Sequence, residues 1–376
     1  MIYDVAVVGL GPAGGLAACH LARAGLQVLA LDRAPLPRDK PCGGALSLRA
    51  VRLLDFPMEV AVATLSAVTF TRGFGRAVPI ASSAPFALMT HRAEFDHALA
   101  RRAAAAGAVI RAGERLTRAW AGPEGLGLET SRGSYRARFL LGADGARSTT
   151  AALLRFPVSK QFTRSFEACT RPVRRYEEVA GIEFGHVPAG YAWVFPKGAS
   201  ASVGVMTPAL RTAALGEAFV AALRGYGLDS AGVRRQGALI PHLRSPARSL
   251  RQGRALLAGD AAGLADAFLG EGIFYALRSG RLAATAIMRA CLEGEEALDA
   301  YPQAVARELL PDLRSAAWLA RLVYRLPGLW YRILERVPWG IEAYLGVLRG
   351  ERDYPGLLRL MGREALRLIR RRGSGR

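Results

Sequence analysis

Cysteine is scarce in this chain of 376 residues. The four present, Cys19, Cys42, Cys169 and Cys291, are scattered and form no CxxC pair. That spacing argues against a disulfide-built secreted domain and leads to the expectation of a reducing, cytoplasmic setting. No signal-like segment precedes the first expected strand, which starts at residue 3. No apolar run approaches the roughly 18 residues of a spanning helix, so membrane contact is expected only as peripheral contact at the cytoplasmic face. Acidic residues are also few, 31 against 51 basic, for a formal net charge of +20. Such a surface favours anionic partners: nucleic acid, anionic lipid or a diphosphate. Yet zinc-finger spacing, an RNA-binding signature and a compact basic DNA helix are missing, so nucleic acid is not an expected partner. His91, His97, His186 and His242 stand apart in sequence, no Cys/His cluster has metal-ligand spacing, and no metal is expected. Long polar tracts and internal repeats are absent too. The chain is 51% hydrophobic, enough for one large domain or two smaller ones.

The most informative stretch is the first 33 residues. Tyr3 to Val8 is an apolar, β-branched run that suits a buried parallel strand. Gly9, Gly11 and Gly14 follow, and a helical pattern begins at Pro12 and ends at Gly25. Val28 to Leu31 reads as a second strand closed by Asp32 and Arg33. Strand, glycine turn, helix, strand and acid form the context that a dinucleotide fingerprint requires. Gly9 permits the tight turn, Gly11 admits a pyrophosphate to the backbone, and Gly14 lets the helix lie close to the sheet. Phosphates would sit at the helix N-terminus beside Pro12 and Ala13, and Asp32 would accept from the adenosine ribose. This fingerprint does not by itself separate FAD from NAD.

The remaining chain interleaves two kinds of segment. Ala34 to Leu46 is a proline-rich loop, and Ser47 to Leu54 is expected to be helical. Strand-like runs occupy Ala67–Phe70 and Ala77–Ile80, a helix Thr90 to Gly107, and a hairpin or meander Arg115 to Thr130. Phe162 to Met206 is largely β, Leu210 to Arg224 helical, Ala255 to Ala258 a short buried strand, and Gly272 to Ala290 a long helix. From Ala297 the chain is mainly helical and is punctuated by Pro302, Pro311, Pro327, Pro338 and Pro355. The expected fold is α/β. A discontinuous Rossmann-like domain (residues 1–60, 90–155 and 240–295) interleaves with a β-sheet-rich substrate domain (61–89 and 156–239). A C-terminal helical region (296–376) ends in a basic tail, Leu366 to Arg376.

Three further segments narrow the cofactor: Arg92 with Phe95 and Asp96; Gly142 to Ser148, which contains Asp144; and Leu256 to Gly280. Together with the fingerprint they resemble the FAD domain of the large flavoprotein group that includes the aromatic hydroxylases. In the third segment a strand delivers Gly259 and Asp260 at its carboxyl end, the usual ligand edge of a parallel sheet. Asp260 would accept from a ribityl or ribose hydroxyl. Gly263, Gly270 and Gly272 shape the turn, and the helix opening at Ile273 would aim free N–H groups at the flavin edge where negative charge develops on reduction. The resemblance places Asp144 near the pyrophosphate and Arg92 near the FAD phosphates or ribityl chain.

Lys40-Pro41-Cys42-Gly43-Gly44, Tyr191-Ala192-Trp193-Val194-Phe195-Pro196 and Gly259 to Leu277 resemble the corresponding motifs of the geranylgeranyl reductase family. The resemblance implies FAD-dependent hydrogenation of isolated C=C bonds in a prenyl chain. Geranylgeranyl diphosphate, an isoprenoid lipid, a chlorophyll precursor and a prenylated quinone are the candidate substrates. The chain departs from the family pattern at Met206, where a second glycine is usual, and at Ala267, where proline is common. An unconjugated alkene is a poor hydride acceptor and needs a proton on its other carbon. Strand spacing puts Tyr191, Trp193 and Phe195 on one face, where their rings would hold the chain and favour transient positive charge. Cys42, beside Lys40 and the pair Gly43-Gly44, is a candidate gate, redox sensor, cofactor contact or aid to protonation.

Trp318, Tyr324, Trp330, Tyr331, Trp339 and Tyr344 form an aromatic-rich C-terminal set that reads either as an interfacial surface or as helices packed over the substrate domain. The electron donor is expected to be NAD(P)H or reduced ferredoxin, the latter implying an electron-carrier protein as partner. A monomer is compatible with the sequence. The competing readings are an FAD-dependent monooxygenase of an aromatic or polyketide-like compound and a non-catalytic flavoprotein or basic scaffold.

Overall fold

The computed structural model describes residues 2–158, 160–209, 211–243, 247–337 and 339–373. Leu210, the expected start of a helix, Pro338 and the end of the basic tail (374–376) lie outside the described residues. Among the described residues the β structure falls into sheets of eight, seven and three strands.

The eight-stranded sheet is built on Ile2–Val8, whose last four residues are buried. This strand pairs in parallel with Val28–Asp32 on one side and Ser134–Gly142 on the other, with Val5 opposite Val28 and Phe139. Val109–Ala112 and Ala255–Leu257 extend the parallel part, and the hairpin Leu116–Gly122/Gly125–Thr130 adds an antiparallel edge. Apolar residues without alternation are what a sheet covered on both faces requires. The helix Pro12–Arg23 packs on one face between Arg92–Ala105 and Ile273–Glu293. The expected helix Ser47 to Leu54 is a single turn in the structure, Leu48–Val51, capped by Ser47 Oγ; it starts after Ser47 because Ala45–Ser47 is recruited into the three-stranded sheet with Ala61–Leu65 and Ala87–Thr90.

The seven-stranded sheet runs in the order Gln236–Leu243, Lys160–Thr170, Ser200–Thr207, Tyr191–Lys197, Ala180–Phe184, Ala67–Arg72, Val78–Ala81. Its pairings are antiparallel except between Ala180–Phe184 and Ala67–Arg72. Because Gln236–Leu243 belongs to this sheet, the β-rich part continues past residue 239. Period-two alternation sorts its side chains. Ala192, Val194, Val203 and Val205 face the helix Thr212–Gly225, packing on Leu215, Phe219 and Leu223. Tyr191 and Trp193 face the other way, toward Phe268, Leu319 and Tyr344.

The C-terminal layer consists of Ala300–Glu308, Leu310–Arg325, Pro327–Arg336, Trp339–Arg349 and Tyr354–Gly373. Pro302, Pro311, Pro327 and Pro355 fall in the first turns of these helices, where a missing N–H costs no hydrogen bond. This layer is tied to the rest through buried Arg49. Its Nη1 donates to Asp312 Oδ2 at 3.0 Å and its Nε to Glu271 Oε2 at 3.2 Å. Asp312 also accepts from Tyr275 OH at 2.6 Å and from the Tyr354 N–H at 2.7 Å. Removing one partner of a buried ion pair strands the other charge. Asp312→Ala is therefore expected to lower the unfolding free energy by about 3–5 kcal/mol, read by denaturant titration; an unchanged midpoint would show that the network contributes nothing.

Candidate active site

A cavity of about 590 Å³ starts at the glycine turn and extends into the C-terminal layer. Of the residues singled out in the sequence, Gly11, Pro12, Ala13, Cys42, Gly43, Gly44, Arg92, Tyr191, Trp193, Phe195, Asp260, Gly270, Gly272 and Ile273 line it. Gly9, Gly14, Asp32, Arg33, Asp144 and Gly263 are not among its lining residues.

The turn explains itself sterically. A Cβ on Gly14 would collide with the Gly9 carbonyl oxygen, and Gly9 has φ +99° against the Ala143 backbone. Gly11 is different. A Cβ there would have room, its nearest neighbours being Arg38 Nη2 at 3.8 Å and Arg92 Nη2 at 3.9 Å. Asp32 braces the turn by accepting from the Leu10 N–H at 2.9 Å and the Ala34 N–H at 3.0 Å. A carboxylate oxygen has two acceptor positions, so Oδ1 retains one for a ribose hydroxyl. Arg33 is exposed. Asp144 holds its own loop, accepting from Ser148 Oγ at 2.6 Å and the Thr150 N–H at 2.9 Å. Gly263 closes the turn after Asp260 with φ +77°.

Buried Arg92 forms a two-pronged pair with Asp96 at 2.9 and 2.7 Å, and Arg38 reaches the same carboxylate at 3.0 Å. Burial opposes the Arg92 charge, but the Asp96 carboxylate outweighs it, and Arg92 also reaches Cys42. Lys40, placed beside Cys42 by sequence, instead pairs with Asp260 at 3.3 Å. The Cys42 loop is clamped from the other side: Lys197 Nζ donates to the Cys42 carbonyl at 3.1 Å, and a Cβ on Gly43 would stand 2.9 Å from Phe195.

Tyr191, Trp193 and Phe195 do share one face, with ring centroids 5.9 and 6.2 Å apart. Tyr191 OH donates to the Leu269 carbonyl at 2.7 Å, and burial holds this phenol well above its ordinary range. Trp193 Nε1 donates to Ser202 Oγ at 3.1 Å. Met206 is buried, and a Cβ on Gly270 would approach its sulfur to 3.1 Å, so the family departure at this position fills space beside the Gly270 turn. Asp266 secures that turn by accepting from the Phe268 N–H at 2.6 Å and Tyr354 OH at 2.7 Å, and burial pushes its carboxyl up to about 6.

Sequence reading missed Arg38, Glu167, Lys197, Ser202 and Glu271. Lys197 follows the YAWVFP run directly, a signal that was available. Glu167 lies inside a long β segment with nothing local to mark it. Among the described residues no group of His, Cys, Asp and Glu forms a metal site, and no helix is long and apolar enough to cross a membrane.

The residues suit a flavin dinucleotide. The helices opening at Pro12 and Ile273 both begin at glycine N-caps without side-chain caps, leaving N–H groups free along one continuous cavity. Residues 2–170 match the FAD binding domain family. The chain is 35% identical to geranylgeranyl diphosphate reductase of Rhodobacter capsulatus over 79% of its length and 78% of that protein. It is 32% identical to menaquinone reductase of Mycolicibacterium smegmatis over 75% of each chain. The fold is shared with a geranylgeranyl bacteriochlorophyll reductase-like protein of Thermoplasma acidophilum, at TM-score 0.79 and 20% identity over 96% and 98% of the two chains. It is also shared with the OxyS anhydrotetracycline hydroxylase of Streptomyces rimosus, at TM-score 0.67 and 23% identity over 93% and 76%.

Because a Cβ at Gly11 would meet only ordinary contacts with the Arg38 and Arg92 guanidinium groups, Gly11→Val is expected to fold normally yet bind FAD at least about tenfold more weakly, a loss near 1.4 kcal/mol. Flavin absorbance after gel filtration reads the outcome, and undiminished FAD content would remove the turn from the phosphate site.

Proposed function

The chain belongs to the geranylgeranyl reductase family of FAD-dependent oxidoreductases, and from that premise we propose that it reduces isolated C=C bonds of a prenyl chain lying in the apolar part of the cavity. The observation that carries this reading is continuity. One cavity joins the FAD-fitting residues Gly11, Asp260 and Gly272 to Trp193 and Phe195, and then to Leu319, Trp330 and Leu348 of the C-terminal layer. An aromatic and aliphatic tunnel suits a flexible hydrocarbon, which binds by displacing water from apolar surface. FAD, when bound and reduced, supplies the hydride. The protein excludes water with its three rings and presents their faces to developing positive charge. Because Tyr191 OH and Trp193 Nε1 are both occupied, the rings are held in place and offer the alkene their faces rather than a proton.

The substrate is drawn from geranylgeranyl diphosphate, an isoprenoid lipid, a chlorophyll precursor or a prenylated quinone. The two named relatives above represent the first and last of these classes. NAD(P)H or reduced ferredoxin serves as electron donor. Peripheral contact with an anionic membrane face is part of the same reading, supported by the distribution of the C-terminal aromatics. Tyr331 and Tyr344 are buried, and Trp330 lines the cavity. Trp318, Leu326, Leu329 and Trp339 are 52%, 53%, 44% and 40% exposed, among exposed Arg321, Arg325, Arg332 and Arg336. The helix Pro327–Arg336 thus turns one face to the cavity and the other outward, as an entry for a lipid requires. The second reading is an aromatic monooxygenase; the fold shared with the anhydrotetracycline hydroxylase fits it only in part, and oxygen-dependent NAD(P)H oxidation with an aromatic compound would support it.

Anaerobic incubation of the dithionite-reduced holoenzyme with the candidate prenyl substrates is expected to add two hydrogens per bond, read by mass spectrometry; no mass gain with any of them would sink the proposal. Trp193→Ala should lower kcat by about 10- to 100-fold with FAD content unchanged, since it loosens the alkene's placement. Sedimentation with anionic vesicles should fall in the double variant Leu326→Glu, Leu329→Glu, since Trp339 borders the cavity as well as the surface, and equal binding by both proteins would exclude this face.

A further inference from the structure

Glu167 is an acidic residue in an otherwise largely apolar wall, and nothing described above employs it. Its strand, Lys160–Thr170, lies next to Ser200–Thr207, which lies next to the aromatic strand Tyr191–Lys197. Cross-strand register puts Glu167, Gly204, Trp193, Ile182 and Phe70 in one row. All of these except Gly204 line the cavity. Gly204 is the reason the row closes up: a Cβ there would collide with the Trp193 indole, so the ring lies over the glycine, in the gap between its own strand and that of Glu167. Ser202 Oγ bridges the two, accepting from Trp193 Nε1 at 3.1 Å and standing 3.5 Å from Glu167 Oε2. The Cys42 N–H also donates to Glu167. The carboxyl therefore stands at the junction of the cofactor loop and the aromatic wall.

We propose that Glu167 is the acid that protonates the alkene. The inference rests on the prenyl-reduction reading and completes its chemistry. Hydride from reduced flavin forms a C–H bond at one alkene carbon, and the flavin is oxidised by two electrons. The π bond breaks, and the Glu167 O–H proton forms the second C–H bond at the other carbon. The carboxylate left behind is reprotonated from solvent. Burial raises the Glu167 carboxyl above the usual carboxylate range, against the opposing pull of Lys197, the Cys42 N–H, Ser202 and Arg92. A raised carboxyl keeps its proton closer to neutrality than a solvated one, as a proton donor to carbon requires. The groups that act on it are Lys197 on the aromatic strand, Arg92 at the start of the helix Arg92–Ala105, the Cys42 N–H on the loop and Ser202 on the intervening strand.

The sign of the pH dependence follows. An acid must carry its proton, so the rate falls as pH rises through the Glu167 pKa. The test compares wild-type, Glu167→Gln and Glu167→Asp holoenzymes, reduced with dithionite and mixed anaerobically with geranylgeranyl diphosphate. Glu167→Gln should slow the two-hydrogen mass gain by about 100-fold or more and abolish the alkaline fall of the rate. Glu167→Asp should restore part of the activity. FAD content and the rate of flavin reduction by dithionite should be the same in all three proteins. Infrared difference titration of the substrate-free proteins should show a protonated carboxyl band in wild type that Glu167→Gln lacks. The proposal is overturned if Glu167→Gln reacts within a few-fold of wild type, keeps the same pH limb, or loses FAD, since the last result would assign Glu167 to holding the Cys42 loop. A wild-type enzyme that reduces none of the prenyl substrates would instead overturn the reading of function beneath it.

Discussion

The seating of the Cys42–Gly44 loop between two sheets is the constraint on which the site depends. From one side the buried ammonium of Lys197 binds the Cys42 carbonyl, and Phe195 presses on Gly43. From the other, the Thr90 N–H donates to the Gly44 carbonyl at 2.9 Å, and Arg92 stands against Cys42. A buried ammonium requires partners, and a loop without side chains at two successive positions lets them approach. The consequence is that the glycine-turn end of the cavity and its aromatic end are held in one register, although they come from distant parts of the chain.

The seven-stranded sheet then does two jobs through its pleat. One face is closed by the helix Thr212–Gly225 with small and branched side chains, giving a rigid backing. The other carries the large rings and faces the cavity. Glycine at 204 and methionine at 206 are consecutive positions on the cavity-facing side of one strand, and they act in opposite ways. Gly204 yields space to Trp193, while Met206 takes up space beside Gly270. The shape of the cavity near the cofactor is therefore set by the alternation of absent and bulky side chains, as expected where a ring must lie flat on a sheet.

The C-terminal layer completes the apolar wall, and Arg49 decides where it sits. The guanidinium joins Glu271, in the turn that opens the helix Ile273–Glu293, to Asp312 in the covering helices. It also lies over the Phe274 ring at 4.1 Å. A wall that is apolar toward the substrate cannot orient itself by hydrophobic contact alone, because that attraction is non-directional. The ion pairs supply the direction.

By itself the sequence determined the dinucleotide turn, because Gly9 and Gly14 answer to steric limits that local geometry imposes on any strand–turn–helix unit. It also determined that Tyr191, Trp193 and Phe195 share a face, since strand periodicity is a property of the backbone. The helices at Arg92, Thr212 and Ile273 were legible for the same reason, within a few residues at each end. Tertiary structure alone decided the rest. It directed Lys40 to Asp260 rather than to Cys42, and it set Asp144 to bracing its own loop. It recruited Ala45–Ser47 into a small sheet, divided the C-terminal aromatics between cavity and surface, and brought Glu167 and Lys197 to the Cys42 loop from two different strands. Those pairings depend on strand order and on which face is covered. Charge partners separated by more than a hundred residues leave no periodic trace in the chain, so they become visible only when the sheets are assembled.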